Sequence, residues 1–270
     1  MIALKRTLEN MSFKKENKGF KIGQSTTHDK DIIKKIEGLI SEGEKESYGV
    51  VENFPLYLRR VNASKVFALI EIFLKIKDLP GSIVECGVFK GQSFFLFQKL
   101  LDVYCAGDSL KKLIGFDTFQ GLTNLTKEDG KKDLKRDKFK GGFNAKSFEK
   151  ILYKLAQLHQ EDSMLPRFKR IHLVKGDVNK TLPKYIKENP GLRISLLNLD
   201  VDLYKPTLTA LKYLYPKVVH GGVIILDEYA METFPGESKA FEKFFKRENI
   251  FLKKFSFTPT PGAYFFKKEI

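Results

Sequence analysis

LLNLDVDLY, residues 196–204, and GGVIILDEY, residues 221–229, decide the fold of this chain. In each, apolar side chains run without alternation and stop at carboxylates: Asp200 and Asp202 in the first, Asp227 and Glu228 in the second. Unbroken apolar runs belong to strands covered on both faces, the condition of a parallel sheet. Ligands of open α/β sheets gather at the carboxyl ends of such strands. Two neighbouring strands of this kind would bring four hard oxygen donors to one sheet edge, a setting for a divalent cation and for removing a proton.

The flanking sequence extends the same pattern. SIVECGV, KKLIGFDTF, RIHLVKGDV and RISLLNLDV read as the first four strands and GGVIILDEY as the fifth, with amphipathic helical stretches between them. NASKVFALIEIFLKIKDL, residues 62–79, predicts a helix capped by Asn62 and burying Val66, Ile70, Phe73 and Leu74. IFLKKFSFTPTPGAYFFKK predicts two final strands about a Pro/Gly turn. The fold class is therefore α/β: a doubly wound, mostly parallel, seven-stranded sheet closed by a C-terminal antiparallel hairpin. Residues 1–45 read as a polar arm with a helix across DIIKKIEGLI, and residues 46–270 as one catalytic-type domain. The charged stretch 127–140 lacks an apolar period and reads as a mobile, lid-like loop over the strand ends.

Bulk composition narrows the class. The 270 residues carry 42% hydrophobic and 30% charged side chains, as a globular protein does, with no membrane-length apolar run and no signal-peptide pattern. Cytoplasmic localisation without membrane contact is the expectation. Cys86 and Cys105 are the two cysteines, so neither a disulfide framework nor zinc-ligand spacing exists. The net charge of +15 is mostly scattered Lys, which reads as solvated surface rather than the Arg-rich recognition of nucleic acid.

The turns after the strands carry the chemistry. In VECGVFKGQS, Gly87 and Gly91 allow a tight turn and close approach to a ligand, but neither the three-glycine dinucleotide fingerprint nor a phosphate loop is present. Glu85 stands just before them, where a carboxylate disfavours a pyrophosphate and favours a cationic ligand. Asp117 ends the second strand and can accept both hydroxyls of a ribose. Asp177 ends the third and can accept from an exocyclic amine. Alone, Glu85 reads also as a surface acid on a tight turn, Asp117 as an N-cap and Asp177 as an Asx-turn; the ordered set suits a positively charged adenosyl group. Asp200 and Asp202, two apart, share a face of an extended chain. Three carboxylates would complete a magnesium shell and leave a fourth, Asp202, as a base.

VECGVFKG, GFDTFQGL, KGDVNKTLP, LDVDLYKPT and GGVIILDEY, in that order, resemble the macrocin O-methyltransferase (TylF/MycF/NovP-type) family of class I S-adenosylmethionine-dependent enzymes, which methylate sugar hydroxyls of natural products. The resemblance runs from about residue 45 to the C-terminus. It implies that Glu85, Gly87, Gly91 and Ser93 face the methionine part of the cofactor, that Asp117 holds the ribose and Asp177 the adenine amine. It implies magnesium on Asp200, Asp227 and Glu228, with Asp202 as general base. The family commonly carries Asp-Asp in the last pair, where this chain has Asp227-Glu228. A small-molecule or glycosyl acceptor and a homodimer or higher homo-oligomer are implied as well.

The expected function is S-adenosylmethionine- and Mg2+-dependent O-methylation of a sugar hydroxyl on a glycosylated natural product or glycan. A metal-dependent catechol- or phenol-type O-methyltransferase is the alternative, since an aromatic diol chelates the same way. A non-catalytic cofactor- or polyanion-binding protein is the third reading; the four-acid cluster opposes it, because phosphates would be repelled there.

Overall fold

The computed structural model describes residues 27–43 and 53–268. The first helix, α1 (Thr27–Gly43), covers the helix expected within the arm; the remainder of that arm lies outside the described residues. The elements that follow are α2 (Arg60–Leu74), β1 (Ser82–Cys86), α3 (Gln92–Tyr104), β2 (Leu113–Asp117), α4 (Glu149–Glu161), β3 (Ile171–Lys175), α5 (Val178–Glu188), β4 (Ile194–Leu199), α6 (Tyr204–Leu214), β5 (Val218–Leu226), α7 (Pro235–Phe244) and β6 (Ala263–Phe266).

The strands form one sheet in the order β3-β2-β1-β4-β5-β6, parallel throughout except for β6, which pairs antiparallel with β5. Alternate strand residues feed two cores. Ile83, Leu113, Leu196, Val223 and Ile225 pack with Leu69, Ile72 and Phe73 of α2, Phe94 and Phe97 of α3 and Leu152 of α4. Val84, Ile114, Leu197, Ile224 and Leu226 pack on the other face with Leu182 of α5, Ala210 and Leu211 of α6 and Phe241 of α7. Helices on both faces explain why β1 and β4 are buried along their whole length and why their sequences do not alternate.

Two expectations are corrected. Among the described residues the sheet has six strands, not seven. The expected strand near Ile250 is reduced to a single bridge, in which Lys253 N–H donates to Tyr264 O and Tyr264 N–H to Lys253 O, at 2.8 and 2.9 Å. Beyond that pair the chain turns to bury Phe255, whose ring stacks on Tyr264 with centroids 5.2 Å apart, so the ladder stops. Nor does Asn62 cap α2. Its N-cap is Arg59, and the buried stripe is Ala68, Leu69, Ile72 and Phe73, while Leu74 is exposed. Among the described residues, no helix is long and apolar enough to cross a membrane.

The strand order reverses direction between β1 and β4. The loops leaving those two strands diverge and open a crevice at their carboxyl ends, the usual ligand position in such sheets.

Candidate active site

A cavity of about 470 Å³ fills that crevice, and its wall draws on the loops after each of the five parallel strands. Gly87, Phe89 and Ser93 come from the β1–α3 turn, Asp117 from β2, Asp177 from β3, Asp200 and Asp202 from β4, and Glu228 from β5. Gly87 has φ +93°, and a Cβ there would sit 1.6 Å from the carbonyl oxygen of Asp200. Any side chain would push the first and fourth strand ends apart. Gly91, at φ +85°, is the left-handed N-cap of α3.

Not every predicted residue meets the cavity in the predicted way. Glu85 is fully buried and absent from the cavity wall; its Oε1 accepts from Ser93 Oγ at 2.7 Å, and its Oε2 has no well-formed hydrogen bond among the described residues. Burial drives its carboxyl up to about 8, against the hydrogen bond from Ser93. It lies beneath the turn and reaches the cavity through Ser93. Asp117 lines the cavity while clasping two turns: Oδ2 accepts from Phe89 N–H at 2.7 Å and Oδ1 from Phe119 N–H at 2.6 Å. Asp177 lines it too and caps α5, accepting from Asn179 N–H at 2.9 Å and Asn179 Nδ2 at 2.8 Å. The Asx-turn reading of Asp177 is thus realised, at the N-cap of α5, and the carboxylate's second oxygen can still accept from a ligand.

Beside the cavity the carboxylates converge. Asp200, Asp202 and Glu228 each offer an oxygen within 4.8 Å of the other two. The geometric reason differs from the sequence expectation. β4 ends at Leu199, and Asp202 lies in the loop beyond it with φ +59°, a left-handed turn that folds its side chain back towards Asp200. An extended strand face plays no part. Strained non-glycine backbone recurs around the site at Phe89, Phe119, Phe143 and Ala230, all with positive φ. Phe89 and Phe143 meet edge to face in the cavity wall, their centroids 6.0 Å apart.

The set differs from the one implied by resemblance, which placed Asp227 rather than Asp202 in the triad. Asp227 is turned towards Lys65 of α2, whose Nζ lies 2.9 Å from Asp227 Oδ2 and 3.1 Å from Asp200 Oδ2. Lys65 was not singled out in the sequence, although it stands four residues before Leu69 on the apolar stripe of α2, an unusual place for a lysine. Glu237 of α7 was missed as well. It is fully buried, its Oε1 accepts from Glu228 N–H at 2.9 Å, and its Oε2 has no partner. The segment ESKAFEKFF reads as a solvated helix, and nothing in its spacing marks Glu237.

The electrostatics are those of a site short of positive charge. Burial, then the neighbouring Asp227, raises Asp200 to about 6. Burial, Asp200 and Asp227 raise Asp202 to about 8. Burial and the neighbouring acids push Glu228 and Glu237 well above the carboxylate range. Burial lowers the Lys65 ammonium, but Asp200 and Asp227 outweigh it and hold the group well above its ordinary value. Asp227 Oδ1 and Glu228 Oε2 are buried without a hydrogen-bond partner among the described residues. Buried carboxylate oxygens that no donor satisfies, clustered with like charges, are the donor set of a hard cation, so magnesium fits these residues.

The loop 127–140 is tied to this region. Asp129 is buried, its Oδ1 accepting from Tyr204 N–H at 2.6 Å, and Lys138 Nζ donates to Thr233 O at 2.7 Å. The segment contains two short 3-10 turns, Lys127–Asp129 and Leu134–Arg136.

The model of the family described as Macrocin-O-methyltransferase (TylF) matches residues 65–255. The chain belongs to this family. The mycinamicin III 3''-O-methyltransferase of Micromonospora griseorubida is 25% identical over 84% of this chain and 82% of its own length. The 4'-O-methyltransferase of Streptomyces olivaceus acting on 8-demethyl-8-(2,3-dimethoxy-alpha-L-rhamnosyl)-tetracenomycin-C is 26% identical over 57% of this chain, and the match spans only 55% of that enzyme. Among solved structures, the calicheamicin methyltransferase CalS11 superposes with a TM-score of 0.84 at 26% identity, over 92% of this chain and 97% of its own. An apo structure of the same enzyme, described as a TDP-rhamnose 3'-O-methyltransferase, gives 0.75 at 26% identity, over 90% of this chain and 96% of that one. These macrocin-family relatives are O-methyltransferases, and the matched span runs from Lys65 through the whole acid cluster.

Proposed function

We propose that the protein is an S-adenosylmethionine-dependent, magnesium-assisted O-methyltransferase acting on a sugar hydroxyl of a glycosylated small molecule or nucleotide-linked sugar. The observation that carries this reading is the convergence of Asp200, Asp202 and Glu228 beside a cavity built from strand-end loops. The relatives support the acceptor class: the calicheamicin enzyme is described as acting on TDP-rhamnose, and the tetracenomycin enzyme on a rhamnosyl group. The cofactor, when bound, supplies an electrophilic methyl on a sulfonium, and a bound magnesium ion supplies Lewis acidity that makes an alcohol proton easier to remove.

The chain's own residues account for the rest. Gly87 admits close approach to the strand ends, Ser93 offers a hydroxyl at the wall, and Asp117 and Asp177 offer acceptors for ribose hydroxyls and an amine. Asp200, Asp227 and Glu228 are the ligand set implied by the family; Asp202 stands within the same cluster as the base. Asp202 would accept the acceptor's hydroxyl proton on a carboxylate oxygen, leaving the hydroxyl oxygen to take the methyl group that the bound cofactor would supply. A base held in hydrogen-bond reach contributes about 10²–10⁴-fold.

The test offers labelled S-adenosylmethionine with nucleotide-linked deoxysugars, glycosides and catechols as acceptors. Methyl incorporation into a sugar hydroxyl, lost with chelator and restored by magnesium, is expected. Incorporation into catechols alone would transfer the protein to phenolic chemistry.

A further inference from the structure

We propose that Lys65 is a tethered competitor of the divalent cation, occupying the bridging position between Asp200 and Asp227 and leaving it when the ion binds. The inference rests on the magnesium-assisted reading of this same site. Its Nζ lies 3.1 and 2.9 Å from one oxygen of each carboxylate, and among the described residues no other hydrogen bond reaches either oxygen. A magnesium ion held by both aspartates would need those oxygens at about 2.0–2.1 Å. An ammonium between the same two oxygens fills the place where the bridging ion would sit.

The same contact explains why two ligand sets arise. With Lys65 in place, Asp227 is withdrawn and the carboxylates grouped beside the cavity are Asp200, Asp202 and Glu228, Asp200 itself still held by Lys65. With Lys65 displaced, Asp227 is released to join Asp200 and Glu228, and Asp202 is freed for proton transfer. The lysine is built for such movement. Its stem rises from α2 into the cavity wall, where its side chain is 21% exposed, so the head has open space to enter. Lys65 therefore keeps mutually repelling carboxylates together while no ion is bound, and sets the cation concentration at which the site loads.

The experiment measures Mn2+ binding, by paramagnetic resonance of the free ion, to the full chain and to Lys65→Met, Lys65→Gln and Lys65→Arg, with S-adenosylhomocysteine present. Removing a unit charge from between two ligands is expected to tighten Mn2+ by at least about tenfold in the Met and Gln variants. Lys65→Arg is expected to remain within a few fold of the parent. Circular dichroism of each variant establishes folding, and Gln serves where Met fails to fold. Ion binding unchanged or weakened in Met and Gln would overturn the role of Lys65 while leaving a cation site in place. Absence of Mn2+ binding in every form would overturn the magnesium reading and this inference with it.

Discussion

The two ends of the sheet handle buried charge in opposite ways. At the amino ends of the strands Lys111 is buried, and its ammonium donates to Leu79 O at 2.6 Å, Gly81 O at 3.1 Å and Ser195 Oγ at 3.3 Å. Arg170, also buried there, donates through Nε and Nη2 to the carbonyls of Lys111, Leu101 and Cys105. At the carboxyl ends, Glu85, Asp227, Glu228 and Glu237 each keep a buried oxygen without a hydrogen-bond partner among the described residues. An ammonium has three donors, and Lys111 spends all three on the protein itself. The carboxylates are left incomplete although burial costs them as much. Arg170 Nη1 also lacks a hydrogen bond among the described residues and lies 3.8 Å from Asp102 Oδ1, so the contrast rests on Lys111, completed by the protein itself, against the acid cluster, which on the proposed reading takes a cation.

The sharpest way to break this contrast is at the reacting end. Asp202→Asn is expected to lower the turnover number by about 10²-fold or more, because a general base is lost, while calorimetry shows S-adenosylhomocysteine bound as before. Unchanged turnover would remove Asp202 from proton transfer. At the opposite end, Lys111→Met is expected to cost about 1–3 kcal/mol in urea unfolding, since buried carbonyls lose their donor, with turnover of the folded fraction intact. A larger effect on turnover than on stability would erase the distinction between the two ends.

pH sharpens the comparison further. Glu85 and Asp202 are raised to about 8 and Asp200 to about 6, so the folded protein without a cation holds more protons than the unfolded chain from about pH 4 to 8. Stability is then full below the ordinary carboxylate values and declines as pH rises through the raised ones. Thermal melting in chelator is expected to show Tm falling from pH 5 to 8, and magnesium is expected to flatten the slope. A Tm that rises over that range in chelator would contradict the buried-anion picture. The smallest expected effect is at Glu237. Glu237→Gln removes a carboxyl whose ionised form burial and the neighbouring acids disfavour and keeps an oxygen for Glu228 N–H, so without cation it is expected to raise Tm by a few degrees. A lowered Tm would make Glu237 a required part of the anion cluster.

The contrast also shows what a sequence can disclose. The five parallel strands were legible because each is covered on both faces, which forces a run such as ISLLNL, and the strand-end acids were legible because those runs stop at them. The sixth-strand edge was not: whether residues near Ile250 pair over several rungs or one depends on where Phe255 finds its core, which is a tertiary matter. The convergence of Asp200 with Asp202 was expected on a strand face and arises instead from a left-handed residue that local pattern does not announce. Lys65 and Glu237 sit on helices whose charged residues mostly face solvent. Only Lys65 left a trace, as a cation on an apolar stripe. Glu85 was read as lining the ligand site, and the neighbouring Ser93 is what brings it into play.

Crystals soaked in Mn2+ with S-adenosylhomocysteine, read by anomalous scattering at the manganese edge, test the central claim most directly. The account predicts one strong peak within about 2.0–2.3 Å of oxygens from Asp200 and Glu228, with Asp227 completing the protein ligands and Asp202 left free. Crystals saturated with manganese that show no peak among these side chains would contradict it.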